Sequence, residues 1–409
     1  MSRLKSLAIG LAIIFTTLTG RAEAGAPGAE PRNWDEVAAK ARGQKVYFNA
    51  WAGDTQSNAF VAWIGEEASR RYGVKLEHVK LTDTSEAVTR VIAEKAAGRD
   101  SGGTVDLIWI NGPNFLAMKQ QNLLFGPFAT DLPNWRYVDT TTKLSNLIDF
   151  TVPVDGFEAP WRMAQIVFVY DSARTPLQDL PKSMAAMLPW AKSHPGRLTH
   201  PNVRDFLGAT FFKQALYEFA PDPGVLQRPA TDANFQEVTA PLWAWYDDLR
   251  PYLWRGGTEF PATGFRDEQL LGDGEIDLSI SFNPAAAAVA IKSGALPDSA
   301  RVYVLEKGTI GNTSFVAIPY NAAHKEGAMV VANLLLDPEV QARAQDPEAM
   351  GNFTVLDLAK LDVGQRQLFR RPANAVGLPT NAELGVPLLE PHPSWMTRIT
   401  EAWEKRYVK

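Results

Sequence analysis

Apolar and polar positions along the chain alternate in two distinct rhythms, which together predict a chain of short strands and amphipathic helices. Lys45 to Ala50 (KVYFNA) is apolar and β-prone, as in a first strand. A polar loop, Trp51 to Asn58, follows it. Ala59, Phe60, Trp63, Ile64 and Ala68 then fall on one stripe at helical spacing, and Gly73 ends that helix. Val74 to Val79 alternates like a strand. Asp83-Thr-Ser-Glu86 reads as a capping box ahead of a helix whose buried face is Val88, Val91 and Ile92. Thr104 to Ile110 (TVDLIWI) is a near-continuous apolar run, as in a strand covered on both faces, and Asn111-Gly-Pro-Asn114 breaks it before a further helix. Residues 45–124 therefore read β-α-β-α-β-α. Handedness and crossover rules turn that order into a parallel sheet with helices on both faces.

The pattern loosens in the middle. Gln165 to Tyr170 reads as a strand; 203–219 and 234–249 read as helices. Ile276 to Phe282 is another strand, and Asn283-Pro284 starts an Ala-rich helix that runs to Ser293. Arg301 to Leu305 and Ser314 to Pro319 are strands, the second opened by the polar turn Gly311-Asn312-Thr313. Ala328, Val331, Ala332 and Leu335 stripe one helix, and Asp337-Pro338 caps the next. Before all of this, Asn33 caps a short amphipathic helix. At the far end an amphipathic stretch carries Trp395, Ile399 and Trp403.

The first 24 residues add a destination. Arg3 and Lys5 precede an apolar run, Leu7 to Leu18, that is too short for a stable membrane span, and Ala22-Glu-Ala24 offers the small residues a signal peptidase reads. The expectation is general export to the periplasm with cleavage near Ala24. No Cys follows the run, which excludes a lipoprotein anchor, and no Arg-Arg pair precedes it. Loss of this leader removes Arg3, Lys5, Arg21 and Glu23, so the remaining chain is two units more negative than the formal −5 of the whole. That balance argues against nucleic acid as a partner. The chain has no Cys, which removes disulfides, thiol nucleophiles, zinc–thiolate sites and iron–sulfur clusters. No G-x-S-x-G elbow or H-E-x-x-H pair occurs. His194 and His200 lack a nearby acidic cluster, so no metal and no cofactor is expected.

Four stretches in order resemble the periplasmic solute-binding proteins of ABC importers, the two-lobed type that includes thiamine-, ferric-iron-, polyamine- and maltose-binding members. They are Val46 to Ser57 (VYFNAWAGDTQS), Val105 to Asn111 (VDLIWIN), Gly272 to Pro284 (GDGEIDLSISFNP) and Gly311 to Gln341 (GNTSFVAIPYNAAHKEGAMVVANLLLDPEVQ). The last, with its D-P-E-x-Q ending, is the most specific. The resemblance implies an α/β, type II periplasmic-binding-protein fold, each lobe a parallel-type sheet flanked by helices. Residues 32–151 and 300–346 would form lobe one. Residues 157–296 and 350–409 would form lobe two, with hinge crossings near 152–160 and 297–312. It also implies an inner-membrane ABC permease with its ATPase as partner, a small-molecule ligand, and a monomer.

In such sheets the loops at the carboxyl ends of strands gather on one edge, where helix N-termini also point. Here those loops supply Trp51, Asp54, Thr55, Asn111, Asn114, Asn283 and Asn312 as candidate ligand-binding residues, and the resemblance places Trp161 as a cleft aromatic at the hinge. Trp faces with one carboxylate hold ammonium or thiazolium groups well, so a thiamine-like or cationic solute leads, with sugars second. Each residue also has a structural reading: Asp54 and Asn283 as caps, Asn111 and Asn114 as turn residues, Trp51 and Trp161 as core. An exported enzyme on the same fold and a binding protein that feeds a chemoreceptor are the alternatives. The thiamine-degrading relatives of this fold use a Cys nucleophile, which this chain lacks.

Overall fold

The structure, a computed structural model, describes residues 32–53, 55–370 and 376–408. The stretch expected to act as a leader and Asp54 lie outside the described residues. Lobe one opens with α1 (Trp34–Ala41), whose first turn is held by the Asn33 side chain accepting from the Asp35 N–H. It continues through β1 (Lys45–Trp51), α2 (Thr55–Tyr72), β2 (Lys75–Leu81), α3 (Ser85–Ala96), β3 (Leu107–Ile110) and α4 (Pro113–Gln120). This is the β-α-β-α-β-α order read from the pattern. The expected capping box forms in part: the Glu86 carboxylate accepts from the Thr82 and Asp83 N–H groups, while Asp83 accepts from Ser85.

The strands β4 (Ile148–Asp149) and β5 (Val152–Pro153) form a small hairpin, and β6 (Glu158–Gln165) then joins the main sheet. After a single residue, Ile166, the same extended chain becomes β7 (Val167–Asp171) in the second sheet. Lobe two adds α5 (Met184–Ser193), α6 (Phe206–Phe219), α7 (Asp232–Leu249), α8 (Gly264–Gly272), β8 (Ser279–Ser281), α9 (Ala286–Ser293) and β9 (Ala300–Tyr303). The chain returns through β10 (Gly311–Ala317), α10 (Lys325–Leu335) and α11 (Pro338–Gln345). It ends with α12 (Val363–Leu368), α13 (Asn381–Leu384) and α14 (Pro393–Tyr407).

The five-stranded sheet has the order β2-β1-β3-β10-β6, and the three-stranded sheet β8-β7-β9. The parallel sense expected from the pattern holds for β2-β1-β3. Strand β10 instead runs antiparallel to both β3 and β6, and β7 runs antiparallel to β8 and β9. The physical reason is the crossing itself, since a strand that returns from the other lobe enters the sheet from the opposite end.

That crossing is later than the sequence suggests. Strand β6 still belongs to the first sheet, so the outward passage is at 165–167 rather than 152–160. Strand β9 pairs with β7, so the returning part of lobe one starts at Gly311 and not at residue 300. Val355, Leu356, Leu361 and Phe369 pack in the core of lobe one, although the tail was expected on lobe two. Trp395, Ile399 and Trp403 pack in a separate core cluster, with residues of α6 and α7. The junction is tied crosswise. Ile166 donates to the Ile310 carbonyl at 2.8 Å, the Thr309 hydroxyl donates to the Ile166 carbonyl, and the Gln165 amide reaches Thr309 and the Leu384 carbonyl.

Candidate functional site

The carboxyl ends of β1, β2, β3 and β6 and the amino end of β10 meet on one edge of the first sheet, and lobe two faces that edge. The lobes approach one another at two places there. Asp205, the N-cap of α6, lies close enough to Asp83 for their charges to interact. The Lys213 ammonium, also on α6, sits 4.6 Å from the centre of the Phe150 ring of lobe one.

An aromatic ladder runs from the mouth of this cleft into the core of lobe one. Trp51, at the end of β1, meets Trp109 edge-on at 6.3 Å, and Trp109 meets Trp161 edge-on at 4.9 Å. Trp161 in turn stacks on Phe60 at 6.4 Å. The Arg162 guanidinium lies 5.1 Å from the centre of the Trp109 ring. Trp51 is half-buried, with its ring folded over Gly53: a Cβ at that position would lie 1.9 Å from the ring.

Trp161 is the aromatic that the resemblance places in the cleft. It is 1 % exposed, within the core of lobe one. The cause is a β-bulge. Ser314 of β10 faces Arg162, and Phe315 faces Pro160, so Trp161 is the extra residue with no partner across the ladder. Its carbonyl accepts instead from the Gln341 amide at 2.5 Å. The bulge breaks the in–out alternation and brings Trp161 and Arg162 to the same Trp109 ring.

The remaining candidates divide by what their side chains already hold. Thr55 is exposed at the first position of α2, and Asn114 is half-buried in the first turn of α4. Asn111 is committed. Its amide donates to the Thr313 carbonyl at 2.7 Å and approaches Asp149 at 3.4 Å. Asn283 accepts from the Ala285 N–H and donates to the Met350 carbonyl at 2.9 Å, so it holds the turn before α9 and ties it to the segment that carries Met350 of the lobe-one core. Asn312 belongs to β10 rather than to a loop, and its amide donates to Glu390 at 2.9 Å.

Asn111 and Asn312 lead to a buried cluster that the pattern did not reveal. Glu390 accepts from the Lys213 ammonium at 2.7 Å, with both side chains inaccessible. Asp149 accepts from the Gly112 N–H at 2.6 Å. Burial pushes the Asp149 carboxyl up to about 8, and the Glu390 charge adds to the shift, against the Gly112 N–H, the Asn111 amide and Lys213. Glu158, fully buried nearby, is held well above its ordinary range by burial and then by Asp149. Burial pushes Lys213 down and Glu390 up, and their contact opposes both shifts. The signal in the sequence was a lysine inside FLGATFFKQALYEF, an otherwise apolar helix.

The two histidines are separate. His200 is buried, stacked between Phe211 and Phe260; its Nδ1 donates to the Pro201 carbonyl, Nε2 accepts from the Tyr246 hydroxyl, and burial lowers it to about 4. His194 stacks on Trp190 instead. Among the described residues, no group of three or more His, Cys, Asp or Glu side chains could hold a metal ion.

Comparison with known proteins gives this cleft its setting. A family model described as bacterial extracellular solute-binding protein matches residues 63–363. Protein YnjB of Escherichia coli (strain K12) is 43% identical over 377 residues, covering 92% of this chain and 94% of that one. Among solved structures, the periplasmic binding protein AfuA of Actinobacillus pleuropneumoniae, with fructose-6-phosphate bound, superposes with a TM-score of 0.60 at 12% identity, over 89% of this chain and 98% of that one. The TpPotD lipoprotein of Treponema pallidum gives 0.62 at 12% identity, over 89% and 99%. Iron-bound HitA of Pseudomonas aeruginosa gives 0.59 at 12% identity, again over 89% and 99%. At these identities the solved structures show the shared fold, a two-lobed type II binding protein. The family match and the full-length relative go further: the chain belongs to the bacterial extracellular solute-binding proteins.

Proposed function

We infer that this protein captures a small cationic solute in the cleft between its lobes and hands it to an inner-membrane ABC permease. As a member of its family it is the extracytoplasmic solute-binding component of an ABC-type importer. The observation that carries the reading is the pair of strand-to-strand passages, β6 into β7 and β9 into β10, tied crosswise under a polar edge that faces the opposite lobe. A solute that touches both lobes stabilises the arrangement in which they meet. The solute is carried and released unchanged, in keeping with the binding proteins of the family, and the carrier works as a monomer in the periplasm after cleavage near Ala24.

A cationic solute is supported by the half-buried Trp51 face and by Asp83 and Asp205, whose neighbouring charges a bound cation would relieve. Trp51, Thr55 and Asn114 are the contacts we assign on lobe one, together with Asp54. Asn111, Asn283 and Asn312 hold the frame around them. The test is a thermal-shift titration of the mature protein after unfolding, dialysis and refolding to strip bound solute. Thiamine, spermidine, choline and maltose are the probes. A cation that binds raises the melting temperature with its concentration, by about 2.7 kcal/mol of stability at a hundred times its Kd. A shift with maltose alone overturns the cationic assignment. No shift with any probe, together with turnover of one of them, overturns the carrier reading.

A further inference from the structure

Lys213 occupies a position that ordinary packing does not explain. It is completely inaccessible on α6, among Phe211, Phe212 and Ala215 of the lobe-two core. Three groups enclose its ammonium. Glu390, from the segment before α14, accepts its hydrogen bond at 2.7 Å. The Phe206 ring, two turns earlier on the same helix, lies at 4.7 Å. The third group, the Phe150 ring at 4.6 Å, comes from the other lobe.

The far side of each contact is fixed. Phe150 has a φ of 55°, and its ring lies against Gly112, where a Cβ would approach it to 2.8 Å. Asp149 holds the same turn through the Gly112 N–H. Glu390 is held from the other side by Asn312, on the strand that returns across the hinge. The cluster therefore joins lobe one, lobe two and a hinge strand through one lysine.

We propose that Lys213, held by Glu390 and faced by Phe150, is the positioning residue that sets the balance between open and closed lobes. The proposal rests on the solute-carrier reading. Two terms of opposite sign meet at this ammonium. When the lobes close, it gives up water, which favours the open state. It also gains the face of the Phe150 ring in a dry setting, which favours the closed state. Neither term involves the solute, so the balance exists in the empty protein and the solute tips it.

Two variants separate the ring's contribution from the rest. Phe150→Leu keeps an apolar cover but loses the ring quadrupole, and favours the open state. The double variant K213M/E390Q removes the ammonium and with it both terms, so in its background Phe150→Leu loses its effect on the balance. The chain has no native Cys, so spin labels can be placed at Thr89→Cys on α3 and Gln269→Cys on α8 without background. Distances are then measured by pulsed electron paramagnetic resonance with no solute added. The expected result is an open-to-closed ratio raised by roughly three- to tenfold by Phe150→Leu in the wild-type chain and left unchanged by Phe150→Leu in the double-variant background. A wild-type ratio in Phe150→Leu, or an equal response to Phe150→Leu with and without the buried pair, overturns the proposal whatever the melting temperatures. A wild-type chain with one distance that no solute in the panel changes speaks instead against the carrier reading.

Discussion

The mouth and the floor of the cleft are built from similar residue types and behave differently. At the mouth, Trp51, Thr55 and Asn114 are exposed or half-buried. On the floor, Asp149, Lys213, Asn312 and Glu390 are buried and hydrogen-bonded to one another or to backbone. A polar group that already has protein partners gains little from a solute and loses much when a partner is removed. The comparison teaches that exposure at the strand ends, not the residue type, separates candidate contacts from framework.

The sharpest way to test this contrast is to truncate one residue of each kind. Lys213→Ala leaves Glu390 buried without its cation and should cost about 3–5 kcal/mol of stability by urea unfolding. Trp161→Ala, which empties a core position stacked on Phe60, should cost a similar ~3–5 kcal/mol. Trp161→Ala acts on folding, so a variant that folds with normal stability but fails to bind solute would restore Trp161 to the mouth.

The next effect is on pH dependence. Burial holds Asp149 at about 8 and Asp267 at about 7, both raised from the ordinary aspartate value. Folding thus favours their protonated forms. Their contribution is fully present below an unfolded pKa of about 4 and is lost as the pH rises through 7 to 8. His200, lowered to about 4, runs the other way: its contribution is present above its unfolded value and is lost as the pH falls towards 4. Asp149→Asn should therefore gain on the wild type as the pH is raised, by on the order of 4 kcal/mol between about pH 5 and 8.5. Equal pH profiles for the two proteins would show that Asp149 stays ionised in the fold.

The smallest effects belong to the mouth. Trp51→Ala should weaken solute binding by roughly tenfold, about 1.4 kcal/mol, with a smaller loss of stability than Trp161→Ala. Thr55→Ala should weaken it by roughly twofold to threefold, the worth of one modest hydrogen bond. Isothermal titration against a probe that raises the melting temperature reads both.

Much of lobe one was legible because its elements are local. The strand at residues 45–50, the helical stripe from Ala59 and the apolar run ending at Ile110 all appear as β1, α2 and β3. Lobe two was legible as helices but not as a frame, since Lys213 and Glu390 are 177 positions apart and no local rhythm links them. Gly311 to Thr313 has turn-like composition, yet pairing with β6 draws it into a strand. The burial of Trp161 was not legible, because alternation along β6 is broken by a bulge that depends on the register of β10. The crossing point itself, one residue between β6 and β7, carries no Gly or Pro to announce it.

A captured solute should draw the lobes together. Small-angle X-ray scattering on the stripped mature protein, before and after a saturating probe that raises its melting temperature, measures this directly. The radius of gyration should fall on binding and return when the probe is dialysed away. A probe that binds tightly and leaves the scattering curve unchanged would contradict it.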